Sequence, residues 1–108
     1  MNSFIANVDP AGTLRNRRIA EVTVLIDCAD GDAHIRFTLV QASVTGTGRA
    51  EARCTGGLLR VPMRIAATGP SGWEAGAATA EVEAIIRTDG RITDDTHWTR
   101  EVTISTGG

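Results

Sequence analysis

The chain predicts an all-β fold, an antiparallel sandwich of about seven strands, and three observations carry the prediction. Short runs of alternating apolar and polar residues recur at intervals of roughly ten positions. The stretches between them are rich in Gly, Pro, Asp and Ser, which favour turns for separate steric and hydrogen-bonding reasons. No helical apolar period persists over any length of the chain. With 108 residues, the whole of 1–108 forms one domain with a modest core, and a second does not fit.

Taken in order, residues 3–9, SFIANVD, form a short edge strand ending at the turn Asp9-Pro10-Ala11-Gly12. Residues 13–18 lead into IAEVTVLIDC, 19–28, where Ala20, Val22, Val24, Ile26 and Cys28 share one face opposite Glu21, Thr23 and Asp27. Ala29-Asp30-Gly31-Asp32 reads as a tight hairpin turn. AHIRFTLVQ, 33–41, sets Ile35, Phe37 and Leu39 against His34, Arg36 and Thr38. VTGTGRAEARC, 44–54, turns the small residues Gly46, Gly48, Ala50 and Ala52 inward with Val44 and Cys54.

After the turn Thr55-Gly56-Gly57, LLRVPMRIAA at 58–67 places Leu59, Val61, Met63 and Ile65 on one face. Pro62 has no N–H for a ladder, so this strand has an edge or a bulge there. Thr68 to Gly72 is a loop, and residues 76–87 bury Ala78, Ala80, Val82, Ala84 and Ile86. A long polar connection, Thr88 to Asp95, precedes a last strand at 97–105 with Trp98, Val102 and Ile104 inward and Arg100 interrupting the series. The inner faces are rich in Ala and Gly, so Trp73 and Trp98 supply much of the aromatic bulk of two closely packed sheets.

Cys28 and Cys54, the only cysteines, each end an inward-facing series. If the chain runs up, down and up again, both finish at one end of the molecule, the proximity a disulfide requires. Two buried free thiols are the alternative, since unpaired Cys is also a buried residue type. Closing this loop stabilises by roughly 3 kcal/mol on the chain-entropy model.

Charge and composition narrow the function classes. A net charge of -2 exerts no general pull on nucleic acid, and Arg15 to Arg18, RNRR, reads as a solvated edge or loop rather than a binding arm. No apolar run approaches a membrane span, and MNSFIANVDP has neither the basic nor the apolar part of a signal peptide. Either the chain is cytosolic, or its signal peptide has been removed ahead of Met1. The inferred disulfide favours the second, a secreted protein. All 11 basic residues are Arg, a bias of the kind a high-GC genome produces.

The alternating pattern resembles the immunoglobulin-like superfold. It departs from true immunoglobulin domains, because the cysteines are only 26 positions apart and no Trp follows the first at the usual distance. CTGG at 54–57, VPMRI at 61–65, GWEAGAATAEV at 72–82 and DDTHWTREVTIS at 94–105 resemble small exported actinobacterial sandwich proteins of unknown function. The resemblance implies secretion and a sandwich, and no activity.

Strand direction suggests one constellation. If strands alternate, the turns 29–32, 55–57 and 88–96 emerge together and gather Asp27, Asp30, Asp32, Asp89, Asp94 and Asp95, with His34 and His97 at the starts of their strands. Six carboxylates at one pole offer oxygens to Ca²⁺. The preferred reading is that Asp serves the turns themselves, with Arg53, Arg87 and Arg91 neutralising the charge. No other cofactor is implied. His34, His97 and a thiolate do not converge as a zinc or copper site requires. None of Ser3, Ser43, Ser71 and Ser105 lies in a nucleophile motif, and Gly46-Thr47-Gly48 belongs to a strand rather than a phosphate loop. The outward apolar residues Leu25, Val40, Leu58, Pro62 and Ile85 would make a partner patch if several adjoin. The expectation is an exported, non-enzymatic binding module for a protein or glycan, through the acidic loop end or an exposed sheet face. The alternative is a structural subunit of a larger assembly such as a phage particle or filament, and the oligomeric state is open.

Overall fold

A computed structural model describes residues 5–106, and the chain there is all β, a sandwich of two layers. The strands are β1 (Ile5–Val8), β2 (Ala11–Asn16), β3 (Ile19–Asp27), β4 (Asp32–Gln41), β5 (Val44–Arg53), β6 (Leu58–Ala66), β7 (Gly76–Thr88) and β8 (Arg91–Thr106). Thr68 adds a single-residue bridge to Thr45, so nine extended segments stand where the periodicity predicts about seven. One layer is β1-β3-β6 and the other β8-β7-β4-β5, and β2 pairs with both β3 and β8.

The extra strand corrects the reading of the N-terminal third. Asp9-Pro10 bends the chain without reversing it. Asp9 N–H still donates to Thr23 O at 2.9 Å, in the smaller layer, while Pro10 O accepts from Thr103 N–H at 2.8 Å, in the larger. A proline suits this switch, since it has a carbonyl to offer and no N–H to satisfy. Ala11 to Leu14 then run parallel to Thr103 to Thr106, so the sheet is mixed rather than purely antiparallel.

The segment 29–32 is likewise no hairpin. β3 pairs β1, β2 and β6, whereas β4 pairs β5 and β7, so residues 28–31 cross between layers. Alternation told which face each side chain takes, and the core follows it. Ala20, Val22, Val24 and Ile26 of β3 meet Ala33, Ile35, Phe37 and Leu39 of β4 in one buried cluster, with Ala78, Ala80 and Val82 of β7. Pro62 fits its strand because, among the described residues, β6 pairs only β3 in the ladder, which leaves its other edge without a ladder partner.

The polar stretch 88–96 is mostly strand. β7 and β8 form one long hairpin whose turn is Asp89-Gly90, with φ of 53° and 77°, the left-handed pair a type I′ turn requires. Thr93, Asp95 and His97 can stand on the outer side of a strand that has water beyond its free edge, so their polarity does not mark a loop.

Both ends of the sandwich are tied across the layers. At one end Cys28 and Cys54 form the disulfide, with Cα atoms 5.2 Å apart, joining the end of β3 in one layer to the end of β5 in the other. Cys54 N–H donates to Gly31 O at 2.8 Å and Gly56 N–H to Cys28 O at 3.0 Å. Gly31, at φ 97°, lies so close to the hairpin end that a Cβ would stand 2.5 Å from Arg87 O.

At the other end Trp73 closes the gap. It lies on no strand and, in keeping with its expected share of the core's aromatic bulk, is fully buried at 0% exposure. Its indole N–H donates to Ile65 O at 2.9 Å and its backbone N–H to Arg17 O at 2.7 Å. The ring lies over Gly46, where a Cβ would come within 2.9 Å of it and 2.3 Å of Ala66 O. Arg18, from the run read as a solvated loop, holds the same segment by donating to the carbonyls of Ala67, Gly69 and Ser71 at 2.6, 2.8 and 3.1 Å.

Candidate interaction face

The larger sheet has one face on the core and one on solvent, and register assembles the solvent face row by row. His97, Glu83, Arg36 and Arg49 form one row across β8, β7, β4 and β5. Thr99, Glu81, Thr38 and Thr47 form the next, and Glu101, Thr79, Val40 and Thr45 the one after. On the other side of the first row stand Asp95, Ile85, His34 and Glu51.

Arg36 and Arg49 are therefore direct cross-strand partners. Like charges placed opposite each other destabilise a sheet. Among the described residues neither guanidinium takes part in an ion pair. Glu83, the cross-strand partner of Arg36 on β7, makes no ion pair with it, and two other acids of the face are engaged by histidines. Glu51 Oε1 lies 3.2 Å from His34 Nδ1, and Glu81 Oε1 lies 3.2 Å from His97 Nε2. Both arginines line a groove of about 520 Å³ with His34, Glu51, Glu83, Ile85 and Arg87, and Ile85 gives it a half-buried apolar patch. A smaller hollow of about 110 Å³ continues it past Arg36 to Thr38, Glu81 and His97. Chemically this is a surface with two free guanidinium forks beside an apolar side chain, suited to carboxylates.

The acidic pole is differently built. Asp30, Asp32 and Asp89 do come together with Arg53, Arg87 and Thr88 around a hollow of about 360 Å³. Arg53 Nε is 3.8 Å from Asp32 Oδ1. Asp27 ends β3 opposite Leu58 in the smaller layer, and Asp95 lies within β8 on the larger sheet's outer face. Asp94 is also in β8, and its side chain lies outside the described residues, as does Ser3. Among the described residues no three His, Cys, Asp or Glu side chains stand close enough together to hold a metal ion.

The outward apolar residues divide between two faces. Leu25, Leu58 and Pro62 occupy neighbouring rows of the smaller layer, where Leu58 is 60% exposed, whereas Val40 and Ile85 belong to the larger. Sequence reasoning placed Arg36 and Arg49 outward and missed that they oppose each other. Alternation specifies the face, but only register specifies the partner.

No protein-family model matches the chain, and no curated protein does. Among solved structures, that of murine CRIg is similar over 98% of this chain and 99% of its own, at 10% identity and a TM-score of 0.46.

Proposed function

We propose that this chain is an exported, non-enzymatic interaction module that engages a protein partner through the outer face of β8-β7-β4-β5, with Arg36 and Arg49 anchoring the partner's carboxylates. The observation that carries the reading is the unpaired opposition of these two arginines inside the largest groove described. A fold that keeps two like charges opposite each other forgoes stability, and a ligand that neutralises both restores it. Arg is also among the residues enriched at interface hot spots.

A protein suits the face better than a glycan. None of the outward positions of these four strands holds Phe or Trp, and the chain has no Tyr, so a sugar ring finds no aromatic platform. Export rests on the disulfide, because such bonds persist in oxidising compartments. The aspartates at the pole act as turn formers beside Arg53 and Arg87 rather than as a calcium site, and added Ca²⁺ is expected to leave the melting temperature unchanged.

The test is an NMR titration of the ¹⁵N-labelled protein with a peptide of glutamates. Shifts are expected at Arg36, Arg49 and their neighbours on β4 and β5, and are expected to vanish in Arg36→Gln/Arg49→Gln with the remaining spectrum preserved. Shifts confined to Arg15 to Arg18, or none at all, would refute the reading.

A further inference from the structure

The open sheet edges among the described residues are blunted, with one exception. β1 is four residues long, and β6 carries Pro62. β5 bridges to Thr68 through Thr45, and its Gly46 and Gly48 lie so close to Ile65 of β6 that a Cβ on either would meet that side chain. Short length, a proline and a covering neighbour are means by which proteins keep an edge from pairing. β8 has none of them from Thr96 to Val102. Among the described residues its ladder partner there is β7 alone, because β2 covers only Thr103 to Thr106.

The backbone groups along that edge point away from the sheet. Thr103 N–H donates to Pro10 O at 2.8 Å, on the side away from β7. The two-residue period of a strand turns the N–H and C=O of His97, Thr99 and Glu101 the same way. Trp98 and Arg100 stand between them on the core side, opposite the buried Val82 and Ala80. The indole Nε1 of Trp98 is buried with no hydrogen-bond partner, a deficit that native structures rarely carry. Arg100 is exposed, lies 5.7 Å from the centroid of the Trp98 ring, and enters no ion pair among the described residues.

We infer that the β8 edge accepts an extended segment of a partner protein as an added strand, acidic at alternate positions, at a site distinct from the groove of Arg36 and Arg49. The added strand runs antiparallel, the more stable pairing per residue. Its main chain bonds to His97, Thr99 and Glu101, and a carboxylate on its core side takes the Arg100 guanidinium and brings an acceptor beside the Trp98 indole. On the other side Glu101 opposes a like charge, so the segment is uncharged there. Residues 97–101 span about 17 Å, which sets a footprint of roughly five to seven residues.

Hydrogen exchange read by NMR on the intact, oxidised protein tests this, with the capped peptide Thr-Glu-Thr-Glu-Thr-Glu-Thr as probe. Saturating peptide is expected to slow exchange of the His97, Thr99 and Glu101 amides about tenfold or more, and to move the Trp98 indole N–H signal while that of Trp73 stays in place. The peptide N-methylated at its threonines is expected to do neither, and its counterpart with Gln for Glu to bind about tenfold more weakly. Thr99→Pro keeps the ladder to β7, since the Thr99 N–H points away from it, and is expected to fold and to abolish the response. Should that variant fail to fold, Arg100→Gln is used and is expected to weaken binding about tenfold. Peptide-induced shifts without slowed exchange, or changes confined to Arg36 and Arg49, would overturn the inference. So would exchange that is already slow in the free protein, through a second copy where it depends on concentration and through the chain itself where it does not.

Discussion

The two ends of this sandwich solve one problem by different means. At the end where β3 finishes, a covalent bond between Cys28 and Cys54 joins the layers, and the loops around it are polar. At the end where β3 begins, no covalent bond is available, and Trp73 is buried across the gap with Gly46 and Gly72 making room. The disulfide acts largely on the unfolded chain by restricting its loop, while Trp73 acts on the folded state through burial and two hydrogen bonds. The difference teaches that the second end is the more fragile to substitution, since a void there leaves Ile65 O without its donor as well as the ring without its contacts.

Substitutions ranked by size break or sharpen that contrast. Trp73→Ala is expected to cost about 3–5 kcal/mol in urea unfolding, enough to leave a marginal domain largely unfolded. Removing the bridge in Cys28→Ala/Cys54→Ala is expected to cost roughly 3 kcal/mol, less than Trp73→Ala, and to change the denaturant slope because the unfolded chain expands. Equal slopes with and without the bridge would show that the disulfide acts on the native state instead. Gly46→Ala places a methyl group against Ala66 O, a backbone atom that cannot swing away, and is expected to lower stability by about 1–3 kcal/mol. Arg18→Ala removes three exposed or part-buried hydrogen bonds to the Trp73 segment and is expected to cost about 1 kcal/mol by thermal melting, with no effect on the disulfide end.

How much of this was legible in the sequence divides along the same line. The disulfide end could be read because parity along two strands put both cysteines inward, and the chain's alternation placed them at one pole. Trp73 could be read as core bulk but not placed at this end, because it sits among Gly, Pro and Ser with no periodicity to give it a face. Parity also identified the core side chains of β3, β4 and β7 correctly. It is silent on which strand pairs with which, and so the crossover at 28–31, the sheet switch at Pro10 and the parallel pairing of β2 with β8 all required long-range contacts. The length of β8 was hidden for a local reason: a two-residue Asp-Gly turn lets the strand resume at Arg91, and polar residues at a free edge look like a loop. At the candidate face, His34 and Arg36 were legible as outward, whereas the opposition of Arg36 and Arg49 is a property of register alone.

That opposition is also where stability and interaction part company. Away from both ends, a substitution on the outer face is expected to act in the opposite direction from those above, since neutralising one arginine relieves the other. The direct measurement is a double-mutant cycle on Arg36 and Arg49, each to Gln and then both, by urea unfolding at low salt. The account predicts that each single substitution stabilises by about 0.2–0.5 kcal/mol, that the coupling is repulsive, and that it fades at high salt. Loss of stability in both single variants, with an attractive or absent coupling, would contradict the claim that this face holds unrelieved charge for a partner.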